Sequence, residues 1–143
     1  MKVCVLGAGA IGGWMGVKLA LAGHEVSVLA RGATLAAIRA NGLRLIEAGE
    51  TKSVQVAASD NPAELTAHGY PDLLIVAVKA QGLRAAAQAA KPLIGPNTVV
   101  LTAMNGVPWW FFHRSDRPLS GTALTSIDPT GEIAIQASNF GLR

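Results

Sequence analysis

The chain opens on the stretch Val3-Cys4-Val5-Leu6-Gly7-Ala8-Gly9-Ala10-Ile11-Gly12, in which an apolar run leads directly into three glycines spaced G-x-G-x-x-G. The apolar run predicts a buried β-strand, and the residues that follow predict an α-helix over residues 11–21. A second strand is predicted over residues 25–29, which completes a strand–helix–strand unit of about 30 residues. In that setting the glycine pattern predicts a dinucleotide site, which the bare pattern does not do on its own.

Each glycine of this loop has a physical role in such a site. Gly7 permits the tight turn out of the strand, Gly9 lets the backbone approach a pyrophosphate, and Gly12 lets the helix pack close to the sheet. The phosphates would lie at the helix N-terminus, where free N–H groups and the helix dipole favour anions. A glycine-rich turn in another kind of α/β protein is the alternative. The loop residues predicted to bind the cofactor are Gly7, Ala8, Gly9, Ala10, Ile11 and Gly12.

Strands and helices are predicted to alternate along the rest of the chain, which is typical of an α/β fold. Helices are predicted over residues 33–40, ended by Asn41-Gly42, from about residue 63, and over residues 81–91, where Pro92 stops the helix. Strands are predicted over residues 72–78 and 98–102, and a hairpin-like insertion at the sheet edge joins residues 43–46 to residues 53–56.

These elements predict a Rossmann-like, doubly wound and mostly parallel sheet with helices on both faces. The dinucleotide-binding domain is predicted to span residues 1–130, followed by a tail of uncertain structure over residues 131–143. From Arg117 onward the sequence is rich in turn residues, and residues 136–143 show no clear period. The aromatic residues 109–112 suit packing, a lid over the nicotinamide side, or a buried seam.

The end of the second predicted strand bears on the choice of cofactor. Ligands of such sheets bind outside the carboxyl ends of the strands, and an NAD site usually has an acidic residue at the end of the second strand. This chain has Arg31 near that position. A guanidinium suits a 2′-phosphate, so the sequence favours NADP over NAD; a solvated surface arginine is the alternative.

Two later strand ends also carry polar side chains. Lys79 follows an apolar strand, where it could attract the cofactor phosphates or a substrate carboxylate, or simply reach solvent. Asn105 follows the next strand and can both donate and accept hydrogen bonds, although Asn-Gly is also a common turn pair.

Composition excludes several classes of function. The 143 residues are 50% hydrophobic and carry a net charge of +3 without a run of basic residues, so neither nucleic acid nor a membrane surface is expected as a partner. The single cysteine, Cys4, cannot form an internal disulfide. With no signal-peptide pattern and no apolar stretch long enough to span a bilayer, a cytoplasmic location is expected. His24, His68 and His113 are far apart in sequence, so no metal site is predicted.

Four motifs together resemble a known family. GAGAIG at residues 7–12, LARG at residues 29–32, VKAQ at residues 78–81 and NGV at residues 105–107 resemble the N-terminal half of ketopantoate reductases, over roughly residues 1–130. The resemblance implies NADPH-dependent reduction of the ketone of 2-dehydropantoate, a 2-oxo acid, to (R)-pantoate. It also implies that residues 7–12 bind the dinucleotide and Arg31 its 2′-phosphate. By the same resemblance Lys79 and Gln81 lie in the cofactor cleft, and Asn105 touches cofactor and substrate.

The resemblance leaves the catalytic residues unassigned. Members of that family carry their catalytic lysine and most substrate contacts on a second, helical domain, which this chain is expected to lack, so it is expected to bind cofactor with little or no turnover. Two other functions stay open: a related NADP-dependent reductase of another 2-oxo acid or an imine, and an NADP(H)-binding module without catalysis. Either a homodimer or a separate C-terminal domain could complete the chain.

Overall fold

The computed structural model describes residues 1–108, 110–112 and 118–134. The predictions on Trp109, His113, Arg117 and residues 135–143 therefore lie outside the described residues. The strands are β1 (Lys2–Leu6), β2 (Glu25–Leu29), β3 (Leu43–Glu47), β4 (Glu50–Val54), β5 (Ala57–Ser59), β6 (Leu73–Val76) and β7 (Val99–Thr102). The α-helices are α1 (Ala10–Leu21), α2 (Gly32–Asn41), α3 (Pro62–Leu65) and α4 (Leu83–Ala90).

Five of the strands form one parallel sheet in the order β5-β2-β1-β6-β7. The order reverses at β1: the chain passes from β1 to β2 on one side and returns to β6 on the other. This confirms the predicted doubly wound, parallel α/β fold. The reversal creates a crevice at the carboxyl ends of β1 and β6, which is where ligands of such sheets bind.

The alternation of side chains along β1 divides the hydrophobic core between the two faces of the sheet. Val3 and Val5 pack on one face with residues of α1 and α2, and Cys4 and Leu6 pack on the other with residues of α4. All four are buried, as expected for a strand covered on both faces. Burial of each such apolar side chain contributes roughly 1.5–3 kcal/mol, so the strand that carries the glycine loop is firmly held.

The predicted hairpin forms, but its predicted place at the edge of the sheet was wrong. Among the described residues, β3 and β4 pair only with each other. Their inner face packs on α1, where Leu43 fills the space above Gly16. The edge position beside β2 belongs instead to β5, which the sequence did not predict. β5 has only three residues, Ala-Ala-Ser, which show no apolar alternation.

Other element ends differ from the prediction by a few residues. The strand predicted over residues 72–78 ends at Val76, and the helix predicted over residues 81–91 begins at Leu83, after a 3₁₀ turn over Ala80–Gly82. α4 ends at Ala90, one residue before the predicted end at Lys91, and Pro92 lies within a second 3₁₀ turn, Lys91–Leu93, that continues from α4. A proline is tolerated in the first turn of this 3₁₀ helix, because the backbone N–H groups of a first turn form no hydrogen bond within the helix.

A polar contact joins the hairpin to α1. Lys18 Nζ donates to Glu47 Oε2 at 2.5 Å, and Trp14 Nε1 donates to Glu47 Oε1 at 3.4 Å. The hydrogen bond from Lys18 has the largest effect and the one from Trp14 the next largest. Together they hold the pKa of the Glu47 carboxyl below its ordinary value of 4.5. The contact is therefore complete at neutral pH, when the carboxylate is ionised.

We expect acid to weaken this contact. Because the pKa of Glu47 is lower in the folded state, its contribution to stability is present above pH about 4.5 and is lost as the pH falls through the folded-state pKa. The indole N–H resonance of Trp14, assigned with Trp14→Phe, should shift over that range. Glu47→Gln should abolish the shift, and Glu50→Gln at the same turn should leave it. A shift that persists in Glu47→Gln would contradict the assignment.

Candidate cofactor-binding site

The carboxyl ends of four strands lie in one row across the sheet. Leu6 is in register with Leu29 on one side and with Val76 on the other, and Val76 is in register with Thr102. Hydrogen bonds extend two of these pairings by one residue: Ala77 N–H donates to the Leu6 carbonyl at 2.9 Å, and Ala103 N–H to the Val76 carbonyl at 2.8 Å. The chain therefore leaves all four strands at the same edge of the sheet.

The glycine loop is packed tightly against the end of β6. Gly7 has a φ of +98°, and a Cβ there would lie 2.8 Å from the carbonyl oxygen of Ala77. A Cβ on Gly12 would collide with the carbonyl oxygen of Gly7 and lie 3.0 Å from Ala77 Cβ. Two of the three glycines thus serve the turn and the close approach of α1, as the sequence predicted.

Gly9 differs, because a Cβ there would meet no atom within 4 Å. This glycine is the N-cap of α1, and it provides no side chain to accept a hydrogen bond from the first turn, which also contains no acidic residue. The open space at Gly9 therefore lies at the positive end of α1, and neither the N-cap nor the first turn supplies a negative charge there. This arrangement fits a pyrophosphate group.

The packing role of Gly12 gives a stability prediction. Gly12→Ala should destabilise the fold by about 1–3 kcal/mol, because the new methyl group would meet a backbone atom that cannot rotate away. Gly13→Ala is the matched control: its Cβ would have only an ordinary contact, 3.7 Å from the Ala8 carbonyl oxygen. That control should be neutral or stabilising by up to about 1 kcal/mol, since alanine is the better helix former. Urea denaturation measures both, and equal stabilities would contradict the packing role.

Arg31 lies at the end of β2, next to the glycine loop. It is exposed and is the N-cap residue of α2, with extended backbone. The residue before it is fixed, because Ala30 N–H donates to the Ser59 carbonyl at 3.0 Å. Within the described ranges the Arg31 side chain forms no hydrogen bond or ion pair. A free guanidinium at this place, with no carboxylate ending β2, fits a 2′-phosphate.

Lys79 and Gln81 follow β6 on the other side of the loop. Lys79 is exposed three residues beyond Val76, so it does not close the strand as predicted; it precedes a 3₁₀ turn in which Gln81 is also exposed. The carbonyl of Lys79 accepts from Gly82 N–H at 2.8 Å, which fixes its backbone. The exposure removes the cost of a buried charge and leaves the ammonium accessible at this edge.

Asn105 stands at the fourth strand end. It is exposed three residues after β7, directly before Gly106, whose φ is +105°. Arg31, the glycine loop, Lys79 and Asn105 thus follow in order from β2 to β7. Neighbouring strands are about 4.8 Å apart, so these groups occupy one strip along the sheet edge.

The aromatic segment follows Asn105 in the sequence. Phe111 and Phe112 stack edge to face with ring centroids 5.0 Å apart, and Phe111 remains 57% exposed. Its exposure shows that the described part of the segment is not a closed core.

The fifth strand end was missed by the sequence reasoning. Ser59 ends β5 beside Leu29, and Asp60 follows it on the same edge as Arg31. The turn signal Asn61-Pro62 was visible, but without β5 nothing connected it with the site.

No group of three or more metal-ligating side chains occurs among the described residues. Their helices are all too short or too polar to cross a membrane.

Comparison with known proteins places this arrangement among reductases. The family model described as "Ketopantoate reductase PanE/ApbA" matches residues 3–108. A 2-dehydropantoate 2-reductase from Mesorhizobium japonicum is 49% identical over 134 residues, which cover 93% of this chain and 40% of that protein. The match confirms the resemblance carried by the glycine loop and the strand ends.

Solved structures agree with this result. A crystallised protein from Ralstonia solanacearum, described as a candidate ketopantoate reductase, has a TM-score of 0.86 and 52% identity, covering 94% of this chain and 40% of that one. The ternary structure of D-mandelate dehydrogenase with NADH and anilino(oxo)acetate has a TM-score of 0.67 at 29% identity, covering 76% of this chain and 34% of that one. The chain thus spans about 40% of the length of the relatives it matches over most of its own length.

Proposed function

The chain belongs to the ketopantoate reductase family, and from that premise we propose that it binds NADPH for the reduction of 2-dehydropantoate to (R)-pantoate. The choice of NADPH over NADH rests on the position and exposure of Arg31. Its exposed guanidinium has no partner in the described chain. Arg31 follows β2 by two residues, near the position where an NAD site usually has a carboxylate.

In this proposal the glycine loop and the residues that follow β6 and β7 bind the rest of the cofactor. The backbone at Gly9 and the N-terminus of α1 hold the pyrophosphate, and Lys79 adds positive charge on the β6 side. Asn105, at the end of the strip farthest from Arg31, offers a donor and an acceptor to the nicotinamide half and to the substrate. When bound, the reduced nicotinamide supplies the hydride for the carbonyl carbon.

Reduction of a ketone also requires a proton donor or a positive group at the carbonyl oxygen. Lys79 and Asn105 are proposed here for binding, and we assign the donor to neither. On this account the chain alone binds NADPH with little or no turnover.

The test combines binding with turnover. The purified chain is titrated with NADPH and then mixed with 2-dehydropantoate while NADPH absorbance is followed. Binding with at most slow oxidation supports the proposal, and failure to bind NADPH contradicts it. Fast oxidation would agree with the proposed substrate but would contradict the claim that the chain alone has little or no turnover. A proton donor would then have to lie within this chain.

A second candidate is a reductase of a different 2-oxo acid, favoured by the similarity to D-mandelate dehydrogenase. Turnover of aryl 2-oxo acids in preference to 2-dehydropantoate would favour this candidate. Cofactor binding with no turnover of any carbonyl or imine substrate is the result expected of a binding module.

A further inference from the structure

Asp60 lies beside Arg31 because of the pairing of β5 with β2. Leu29 is in register with Ser59, and the hydrogen bond from Ala30 N–H to the Ser59 carbonyl carries the pairing one residue further. Parallel neighbours are about 4.8 Å apart, so the backbone of Asp60 is next to that of Ala30. Asp60 and Arg31 therefore leave adjacent strands at the same edge of the sheet.

The chain on both sides of Asp60 is fixed by hydrogen bonds. Ser59 is only 2% exposed; its hydroxyl donates to Glu64 Oε2 at 2.7 Å and accepts from Asn61 N–H at 3.0 Å. Asn61 Oδ1 in turn accepts from Ala63 N–H at 3.1 Å, which caps α3. Asp60 therefore lies between two residues that are both held by hydrogen bonds.

The Asp60 side chain itself has no polar partner among the described residues. It is exposed, and in the described part of the chain it forms no hydrogen bond and no ion pair, including none with Arg31. The neighbouring acid, Glu64, is held by Ser59. Asp60 therefore adds an uncompensated negative charge near the place where Arg31 would receive a phosphate.

We propose that Asp60 is a specificity-determining residue that weakens binding of the 2′-phosphate and so narrows the preference for NADPH over NADH. This inference rests on the proposed function. Arg31 attracts the phosphate, whereas the carboxylate repels it from the adjoining strand end. A ligand without the 2′-phosphate has no charge at that point, so its affinity should not depend on Asp60.

The experiment uses two probes that carry only the adenosine half of the cofactor. Adenosine 2′,5′-bisphosphate has the 2′-phosphate, and adenosine 5′-monophosphate lacks it. Calorimetry on the full chain should show that Asp60→Asn binds the bisphosphate about threefold to tenfold more tightly and the monophosphate within about twofold of the unmodified chain. The gain should shrink when salt is raised from about 0.05 M to 0.5 M, because the charges are near the surface.

Glu25→Gln is the matched control. Glu25 is also exposed but begins β2, six residues before Arg31, so about 20 Å of strand separates it from the site. It should change neither affinity, because that distance exceeds the Debye length. Thermal unfolding of each variant shows whether the fold is retained.

The outcomes separate the two proposals. If the chain prefers the bisphosphate but Asp60→Asn leaves that preference unchanged, or lowers it, this inference is overturned and the proposed function stands. If the unmodified chain shows no preference for the bisphosphate, the choice of NADPH fails, and the role of Asp60 fails with it.

Discussion

Replacing Arg31 with alanine is expected to weaken NADPH binding about 10- to 100-fold, while NADH binding stays within about twofold. The guanidinium is exposed and unpaired within the described chain, so its full hydrogen-bonding capacity is available to a 2′-phosphate. A charge-assisted hydrogen bond contributes about 1.5–3 kcal/mol, which corresponds to this range. Fluorescence titration with both cofactors measures the change.

Arg44→Ala is the control for a general loss of positive charge. Arg44 is exposed on β3, which belongs to the hairpin and not to the parallel sheet whose strand ends form the candidate site. It should alter neither affinity by more than about twofold, because it lies outside the site. An equal loss of NADPH and NADH affinity in Arg31→Ala would show that Arg31 does not recognise the 2′-phosphate.

Gly9→Asp should abolish dinucleotide binding, with a loss of at least about 100-fold, and leave the fold as stable as before or slightly more stable. A Cβ at residue 9 would meet no atom of the described chain within 4 Å other than those of its two neighbours in sequence. An aspartate at this N-cap would accept hydrogen bonds from the same N–H groups that we assign to the pyrophosphate, and its charge would repel the phosphates. Titration with NADPH and thermal unfolding together reveal both effects.

Gly9→Ala adds a methyl group without a charge, so it distinguishes the loss of space at residue 9 from the effect of the negative charge in Gly9→Asp. It should also reduce affinity, because the methyl group occupies the approach of the pyrophosphate, but it leaves the N–H groups of the first turn free. Its effect should therefore be smaller than that of Gly9→Asp. Unchanged NADPH affinity in both variants would place the pyrophosphate elsewhere.

The first strand–helix–strand unit was predictable almost to the residue. Its strand is continuously apolar, its helix begins at a glycine turn, and β2 has the predicted bounds. These signals are local, because a buried strand and a tight turn each restrict the residues at their own positions. The hairpin was visible as a pair of strands, although its second strand is Glu50–Val54 and not residues 53–56. Its place on α1 was not visible, because it depends on a contact with Gly16 that is distant in sequence.

The candidate site was predictable in part for the same reason. Arg31, Lys79 and Asn105 could be placed after strands, and the parallel sheet brings those strand ends to one edge. Asp60 could not be placed, because its strand is too short to leave an apolar pattern and is held by pairing with β2. The order of the strands, which makes Asp60 the neighbour of Arg31, follows from tertiary packing.

Calorimetric titration of the purified chain with NADPH and, separately, with NADH tests the central claim most directly. The account predicts saturable binding of NADPH that is at least about tenfold tighter than that of NADH, since the 2′-phosphate adds charge-assisted hydrogen bonds to Arg31. Binding of neither cofactor, or equal binding of both, would contradict it.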